Sequence, residues 1–295
     1  MKNLGYYNGT IDLIENITVP MNDRATCFGD GCYDAMYCRN YIIYCLEEHL
    51  DRLYNSAALL GIRPPFEKAE LGDLLRELIR KVDSHEQFIY IQFSRGTAPR
   101  NHAHGGHMTA NLWITLTPEH VQDTYKPTTC ITVPDTRFYH CNIKTLNLLP
   151  NVMASEKAHQ SGCHEAIFYR PVNAAYAAFC EGAENGIVTE CAHSNVHAII
   201  DGVFRTHATD NLILPGIARM NILKMCRRLG IPYSEIPFTK ADLFTADEVM
   251  ISSSGSFCIP VKEIDGRAVG GRGGEMLKTL QDALVADWLA VTDNK

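Results

Sequence analysis

The sequence predicts a mixed α/β fold of the α+β kind, and three observations point to it. Asn-Gly and Asp-Gly pairs recur between short β-prone runs. Amphipathic helical stripes are interleaved with these runs. The regular strand–helix alternation of an all-parallel sheet is absent.

The first hairpin is expected at Asn8-Gly9, between Tyr6-Tyr7 and the apolar run 11–14. Residues 34–46 read as two strands around Arg39-Asn40. Leu50, Leu53, Ala57 and Leu60 share one helical face, as do Leu71, Leu74, Leu75 and Leu78. Residues 88–93 and 111–116 read as buried strands. The polar stretch 117–127 carries Pro118 and Pro127 and reads as a boundary. It predicts an N-terminal domain over 1–118, a linker over 119–127 and a larger domain over 128–295. Helices are expected at 151–161, 217–229 and 275–289, and further hairpins at Asp201-Gly202 and Asp265-Gly266.

Composition narrows the function. The 295 residues are 46% hydrophobic and 21% charged, as in ordinary globular proteins. A net charge of −7 argues against a nucleic-acid-binding role, which needs a basic patch. No apolar stretch approaches membrane-spanning length, and no signal peptide is visible at the N-terminus. The 11 cysteines are scattered, without a Cys-x-x-Cys pair, and read as reduced thiols of a cytoplasmic protein.

Several residues carry chemistry. Lys144 stands alone in the apolar and amide-rich stretch 138–149. Desolvating an unpaired ammonium is costly, so such a lysine either snorkels to water or serves as an amine nucleophile. Leu214-Pro215-Gly216 precedes a helix whose first N–H groups, at Ile217 and Ala218, could hold phosphate. The serine-rich loop 251–256, which includes Ser254, suits an anion cradle. Arg52 lies at the edge of an apolar stripe, where it either reaches a phosphate or pairs with Asp51 or Glu48. Arg100 and His102, two apart in an extended loop, could both bind a carboxylate. His102, His104 and His107 are too loosely spaced, and too far from any acidic or cysteine ligand, for a zinc site to be expected. Glu190 ends a short apolar strand, where it could bond a protonated ring nitrogen or sit on the surface.

Taken together, the chain resembles the class IV pyridoxal-phosphate aminotransferases. The resemblance is carried by Lys144 in Ile-Lys-Thr-Leu-Asn, Glu190 in Thr-Glu-Cys-Ala-His-Ser-Asn, Leu-Pro-Gly-Ile-Ala-Arg at 214–219, Phe-Gly-Asp-Gly-Cys-Tyr at 28–33 and Glu-His-Leu-Asp-Arg-Leu at 48–53. The unbroken Arg-Gly-Thr-Ala-Pro-Arg-Asn-His at 95–102 is similar to the D-amino-acid branch. The resemblance implies a two-domain fold type IV enzyme with an antiparallel-rich sheet in its larger domain. Its cofactor would be pyridoxal 5'-phosphate, with Lys144 as Schiff-base lysine and proton-transfer base and Glu190 at the pyridine nitrogen. Arg52, Ser254, Ile217 and Ala218 would hold the phosphate, and Leu214 would pack on the ring. Tyr33, Arg100 and His102 would bind the substrate carboxylate, the last two reaching across a homodimer. The implied reaction is ping-pong transamination between a D-amino acid and a 2-oxo acid such as 2-oxoglutarate.

Three departures stand out. Ala218 replaces a frequent threonine, Cys191-Ala192-His193-Ser194 replaces a serine-rich stretch, and 171–185 is an alanine-rich insertion. The alternatives within the family are a branched-chain L-amino-acid aminotransferase and an aminodeoxychorismate lyase. A protein that binds the cofactor without turnover is the alternative outside the enzymes.

Overall fold

The computed structural model describes residues 1–106, 108–170 and 186–293. His107 and the insertion at 171–185 lie outside the described residues. The chain divides into two compact units. One comprises Met1–Val121, Ile143–Asn147 and Trp288–Lys295, and the other Gln122–Asn142 and Leu148–Asp287.

The first unit contains β1 (Leu4–Tyr7), β2 (Thr10–Asp12), α1 (Arg24–Phe28), β3 (Gly31–Arg39), β4 (Ile42–Ile43), α2 (Leu46–Leu59), α3 (Lys68–Leu78), β5 (Glu86–Ser94) and β6 (Asn111–Pro118). Its strands form an antiparallel sheet in the order β2-β1-β6-β5-β3-β4. Along β3 the even-numbered residues Cys32, Asp34, Met36 and Cys38 are buried, while Tyr33, Ala35 and Tyr37 are half-buried. The buried face packs on α2 and α3 through Leu50, Leu53, Ala57, Leu71, Leu75 and Leu78, in one core with Ile89, Ile91 and Phe93. The helical stripes and strand alternation therefore do as the sequence predicts. The β3–β4 turn falls one residue later than expected, with Asn40 and Tyr41 in the left-handed region. Arg39 stays in β3 as the partner of Glu86 and Ile42.

The second unit contains β7 (Thr128–Pro134), α4 (Leu149–Gln160), β8 (Glu165–Arg170), β9 (Ile187–Cys191), β10 (Asn195–Ile200), β11 (Val203–Thr206), α5 (Ile217–Leu229), β12 (Tyr233–Ser234), β13 (Glu248–Ser252), β14 (Ile259–Ile264), β15 (Arg267–Ala268) and most of α6 (Gly274–Thr292). The sheet runs β12-β11-β10-β13-β14-β7-β8-β9, with β15 added on β14. Parallel pairs occur at β11/β12, β14/β7 and β7/β8. A parallel step needs a crossover, and α4 supplies it between β7 and β8. The hairpins expected at Asp201-Gly202 and Asp265-Gly266 form as β10–β11 and β14–β15. Among the described residues no helix is long and apolar enough to cross a membrane.

Candidate active site

The functional side chains fall into two groups, one in each unit. In the first, the segment Ile143–Asn147 closes against the open edge of β3. Tyr33 N–H donates to Lys144 O (2.9 Å), Leu146 N–H to Gly31 O (3.2 Å), and Thr145 bridges Cys32. Gly31 makes this approach possible, because a Cβ there would come within 2.3 Å of Phe93 O and 2.7 Å of Leu146 Cδ1. Lys144 N–H donates to Ser56 Oγ of α2 at 3.2 Å. The side chain is half-buried, and its Nζ lies 4.2 Å from the centre of the Tyr33 ring. No carboxylate pairs with it among the described residues.

Arg52 does not pair with Asp51 or Glu48. It is 8% exposed, and its Nε and Nη2 each donate to Asp34 at 2.8 Å. Asp34 is fully buried and also bonds His49 Nδ1 at 2.8 Å. Burial opposes charge on Asp34, but Arg52 and His49 outweigh it and hold the carboxyl below its ordinary range. Burial pushes the His49 ring below its usual value. A forked contact of this kind holds the guanidinium plane in one orientation.

Arg100 and His102 lie in the loop after β5. The Arg100 guanidinium sits 5.1 Å from the Phe28 ring centre, and the His102 ring is tilted on the same Phe28 at 5.1 Å. His102 and Thr145 line one cleft of about 330 Å³ with Arg24, Phe28 and Asn147.

In the second unit Glu190 stands near the end of β9 and is 5% exposed, so it is not a surface acid. Arg137 donates to its Oε1. Its Oε2 accepts from Asn195 Nδ2 (3.0 Å) and Leu214 N–H (2.9 Å). Arg137 also holds Asp135, which accepts from Arg170 and from the Thr189 hydroxyl. Burial lifts the Glu190 carboxyl above its ordinary value, while Arg137 and the Leu214 N–H pull against that lift. A carboxyl with raised proton affinity is suited to share a proton with a ring nitrogen.

The same asparagine explains Leu-Pro-Gly. Asn195 Nδ2 also donates to Leu214 O at 3.1 Å, and a Cβ on Gly216 would lie 2.0 Å from Asn195 Oδ1. Glycine there lets Asn195 join Glu190 to the start of α5. Gly216 is the N-cap, yet no side chain caps the helix. The buried Ile217 and Ala218 thus present helix-start N–H groups, which favour an anion. Ser252 is the register partner of Asn195, which brings the serine turn to that end of the sheet. There the hydroxyls of Ser253 and Ser256 bond each other at 2.8 Å, and Ser254 is half-buried. A carboxylate, a run of anion-favouring N–H groups and serine hydroxyls fit a phosphorylated nitrogen heterocycle. In the first unit the Lys144 amine, with no carboxylate partner among the described residues, is a group that can react with an aldehyde.

Arg137, Asn195, Asp34 and His49 escaped the sequence reading as functional residues. The histidine and asparagine lay inside quoted motifs, but no local pattern marks Arg137 or Asp34, whose partners are distant in the chain. In the departing stretch, Cys191 N–H donates to Ser194 O (2.7 Å) and His193 Nδ1 pairs with buried Glu165 (2.8 Å).

The family model for amino-transferase class IV matches residues 31–264. The D-alanine aminotransferase of Bacillus licheniformis is 37% identical over 289 residues, covering 97% of each chain. That of Listeria monocytogenes is 38% identical over 279 residues, covering 92% of each. Among solved structures, the branched-chain amino acid aminotransferase of Escherichia coli superposes with a TM-score of 0.86. It is 22% identical, and the match covers 100% of this chain and 97% of that one.

Proposed function

The chain belongs to the class IV aminotransferases, and from that membership we propose that it moves the amino group of a D-amino acid such as D-alanine to a 2-oxo acid such as 2-oxoglutarate, with pyridoxal 5'-phosphate as cofactor. The observation that carries the D-specific reading is the identity of 37% with a D-alanine aminotransferase across 97% of both chains. The likeness to the branched-chain enzyme, at 22% identity, is one of fold.

The cofactor, when bound, supplies the electron sink for the carbanion at the donor Cα. The chain's residues supply position and proton traffic. Lys144 Nζ would be the amine that holds the cofactor, and the base that takes the proton from the donor Cα. Among the described residues no carboxylate pairs with this amine, which leaves it available for both tasks. Glu190, steadied by Arg137, Asn195 and the Leu214 N–H, would hold the proton on the ring nitrogen. Ile217, Ala218, Ser254 and Arg52 would hold the phosphate, and Leu214 would pack against the ring. Tyr33, Arg100 and His102 take the donor carboxylate, and so decide which face of the donor meets Lys144. The two half-reactions give ping-pong kinetics.

The working unit of this reading is a homodimer in a cytoplasmic setting, with Arg100 and His102 acting on the partner's site. Mixing Lys144→Ala with Arg100→Ala chains would then yield a fraction of sites that combine the turnover Lys144→Ala chains lack with the low KM that Arg100→Ala chains lack. No disulfide joins any two of the ten described cysteines, which suits a reducing setting.

The test is a comparison of amino donors. The purified protein, loaded with pyridoxal phosphate, is given D-alanine or L-leucine with 2-oxoglutarate, and 2-oxo acid formation is followed. Turnover with D-alanine alone is expected. Turnover with L-leucine alone would transfer the chain to the branched-chain reading, and pyruvate release from aminodeoxychorismate would transfer it to the lyases.

A further inference from the structure

We infer that Arg24, Phe28 and Asp30 are positioning residues that set Arg100 and His102 as a carboxylate trap, and so govern donor affinity without touching the donor. The inference rests on the reading of Arg100 and His102 as carboxylate binders.

Arg24 opens the short helix α1 and is 4% exposed. Every contact of its guanidinium has a direction. Nη1 donates to Asn101 O (2.6 Å), Nη2 to His102 O (3.1 Å), and Nε to Asp30 Oδ2 (2.7 Å). One side chain therefore grips two successive carbonyls of the loop, at the residues beside and within the trap. The backbone of Arg24 joins the same loop at its start, where its N–H donates to Gly96 O at 2.9 Å.

Asp30 is the second anchor. It accepts from Arg95 Nε at both oxygens, at 3.0 and 2.9 Å, and its own carbonyl accepts from Arg95 N–H at 3.0 Å. Arg95 in turn donates to Leu60 O and Gly61 O at the end of α2. The entry of the loop at Arg95 and its far limb at Asn101–His102 are thus tied to one carboxylate through two arginines.

Phe28 completes the device. Its ring lies 4.7 Å from the Arg24 guanidinium, 5.1 Å from that of Arg100, and 5.1 Å from the His102 ring. A planar cation and an imidazole held against one aromatic ring lose less freedom when they close on a carboxylate than two side chains free in solvent would. The Phe-Gly-Asp-Gly stretch then has two tasks. It bends the chain into β3, and it carries the ring and the carboxylate that order a loop some 70 residues away in sequence.

The experiment uses the full-length holoenzyme and the variants Phe28→Leu, Phe28→Tyr, Arg24→Lys and Arg100→Ala. KM and kcat for D-alanine are measured together with the rate of tryptic cleavage after Arg100. Phe28→Leu should raise KM about tenfold, leave kcat within about twofold, and speed the cleavage. Phe28→Tyr, which keeps the ring, should restore both readouts. Arg24→Lys keeps the charge but cannot hold two carbonyls and Asp30 in one plane, so it should reproduce Phe28→Leu even if that variant fails to fold. If Arg100→Ala raises KM while Phe28→Leu and Arg24→Lys leave both KM and cleavage unchanged, the positioning inference is overturned and the trap stands. If Arg100→Ala leaves KM unchanged, the trap reading falls and the inference with it. A loss confined to kcat, or no rescue by Phe28→Tyr, also overturns the inference.

Discussion

Lys144 and Glu190 occupy opposite electrostatic surroundings. In the first unit the buried acid Asp34 is engaged by Arg52 and His49, and the Lys144 amine lies against the Tyr33 ring. Glu190 has donors on both oxygens, one of them a buried guanidinium that also serves Asp135. The first unit neutralises Asp34 locally and, among the described residues, leaves the Lys144 amine without an ion-pair partner. The second surrounds Glu190 with donors that offset part of the burial cost, and its carboxyl still keeps a raised proton affinity. A nucleophilic amine is quenched by a close carboxylate, whereas a carboxylate that must hold a ring proton is lost if burial alone sets its charge. The same ingredient, a buried arginine–carboxylate pair, serves opposite ends in the two units.

The sharpest break of this contrast removes the amine. Lys144→Ala should lower turnover by roughly four orders of magnitude or more, measured as 2-oxo acid formation from D-alanine. Normal turnover would sink the proposed mechanism. Reversing the charge at the other pole should cost less. Glu190→Lys places a cation beside Arg137, and the half-reaction should slow by roughly 10²–10³ while some cofactor stays bound. Single-turnover absorbance measures both.

The structural half of the contrast is tested through stability. Asp34→Ala removes the counter-ion that Arg52 and His49 share in the first unit, and should destabilise by about 3–5 kcal/mol. Urea denaturation should show a lower midpoint at constant m-value. An effect below about 1 kcal/mol would mean that the Asp34 cluster behaves as a surface pair. In the second unit, acid is the probe. His197 is fully buried between Thr206 and Ser252, and burial, with Arg219 adding to it, pushes its pKa down to about 3. The unfolded chain takes up this proton first, near pH 6.5. Stability from this group is therefore full above about pH 6.5 and falls as pH drops through the window to about 3, by on the order of 5 kcal/mol in total. His197→Gln should flatten that slope whatever it does to stability at neutral pH.

Legibility in the sequence followed the range of the interactions. The hairpin at Asn8-Gly9 and the helix at 217–229 were readable because turn chemistry and apolar period act over a few residues. Glu190 was readable as a candidate because it ends an apolar strand beside a distinctive motif. What holds it was not. Arg137 lies 53 residues away from it in the chain, and nothing in Asp-Thr-Arg-Phe marks that arginine apart from a surface one. The pairing of Thr145 with Cys32 is likewise a long-range bridge, invisible to any local period. Arg52 was read as an arginine at a helix–core boundary with two possible fates. The structure supplies a third through Asp34, whose burial depends on alternation along β3 that the sequence shows but does not connect to α2.

The smallest expected effect concerns the anion end of the second unit. Ala218 stands in the first turn of α5, 7% exposed, where no side chain caps the helix. If backbone N–H groups alone hold the phosphate there, Ala218→Thr adds one hydroxyl donor beside them. A hydrogen bond to a charged acceptor is worth about 1.5–3 kcal/mol, but ordering a side chain and filling a buried position offset part of that. The net gain should be at most about tenfold in cofactor affinity, read from absorbance during titration with pyridoxal phosphate. Tighter binding would show that the second unit, like the first, leaves its ligand-facing groups short of protein partners. Weaker binding would show that the space around Ala218 is filled by protein, and that Ile217, Ala218 and Ser254 hold their ligand through backbone and serine contacts that a longer side chain displaces.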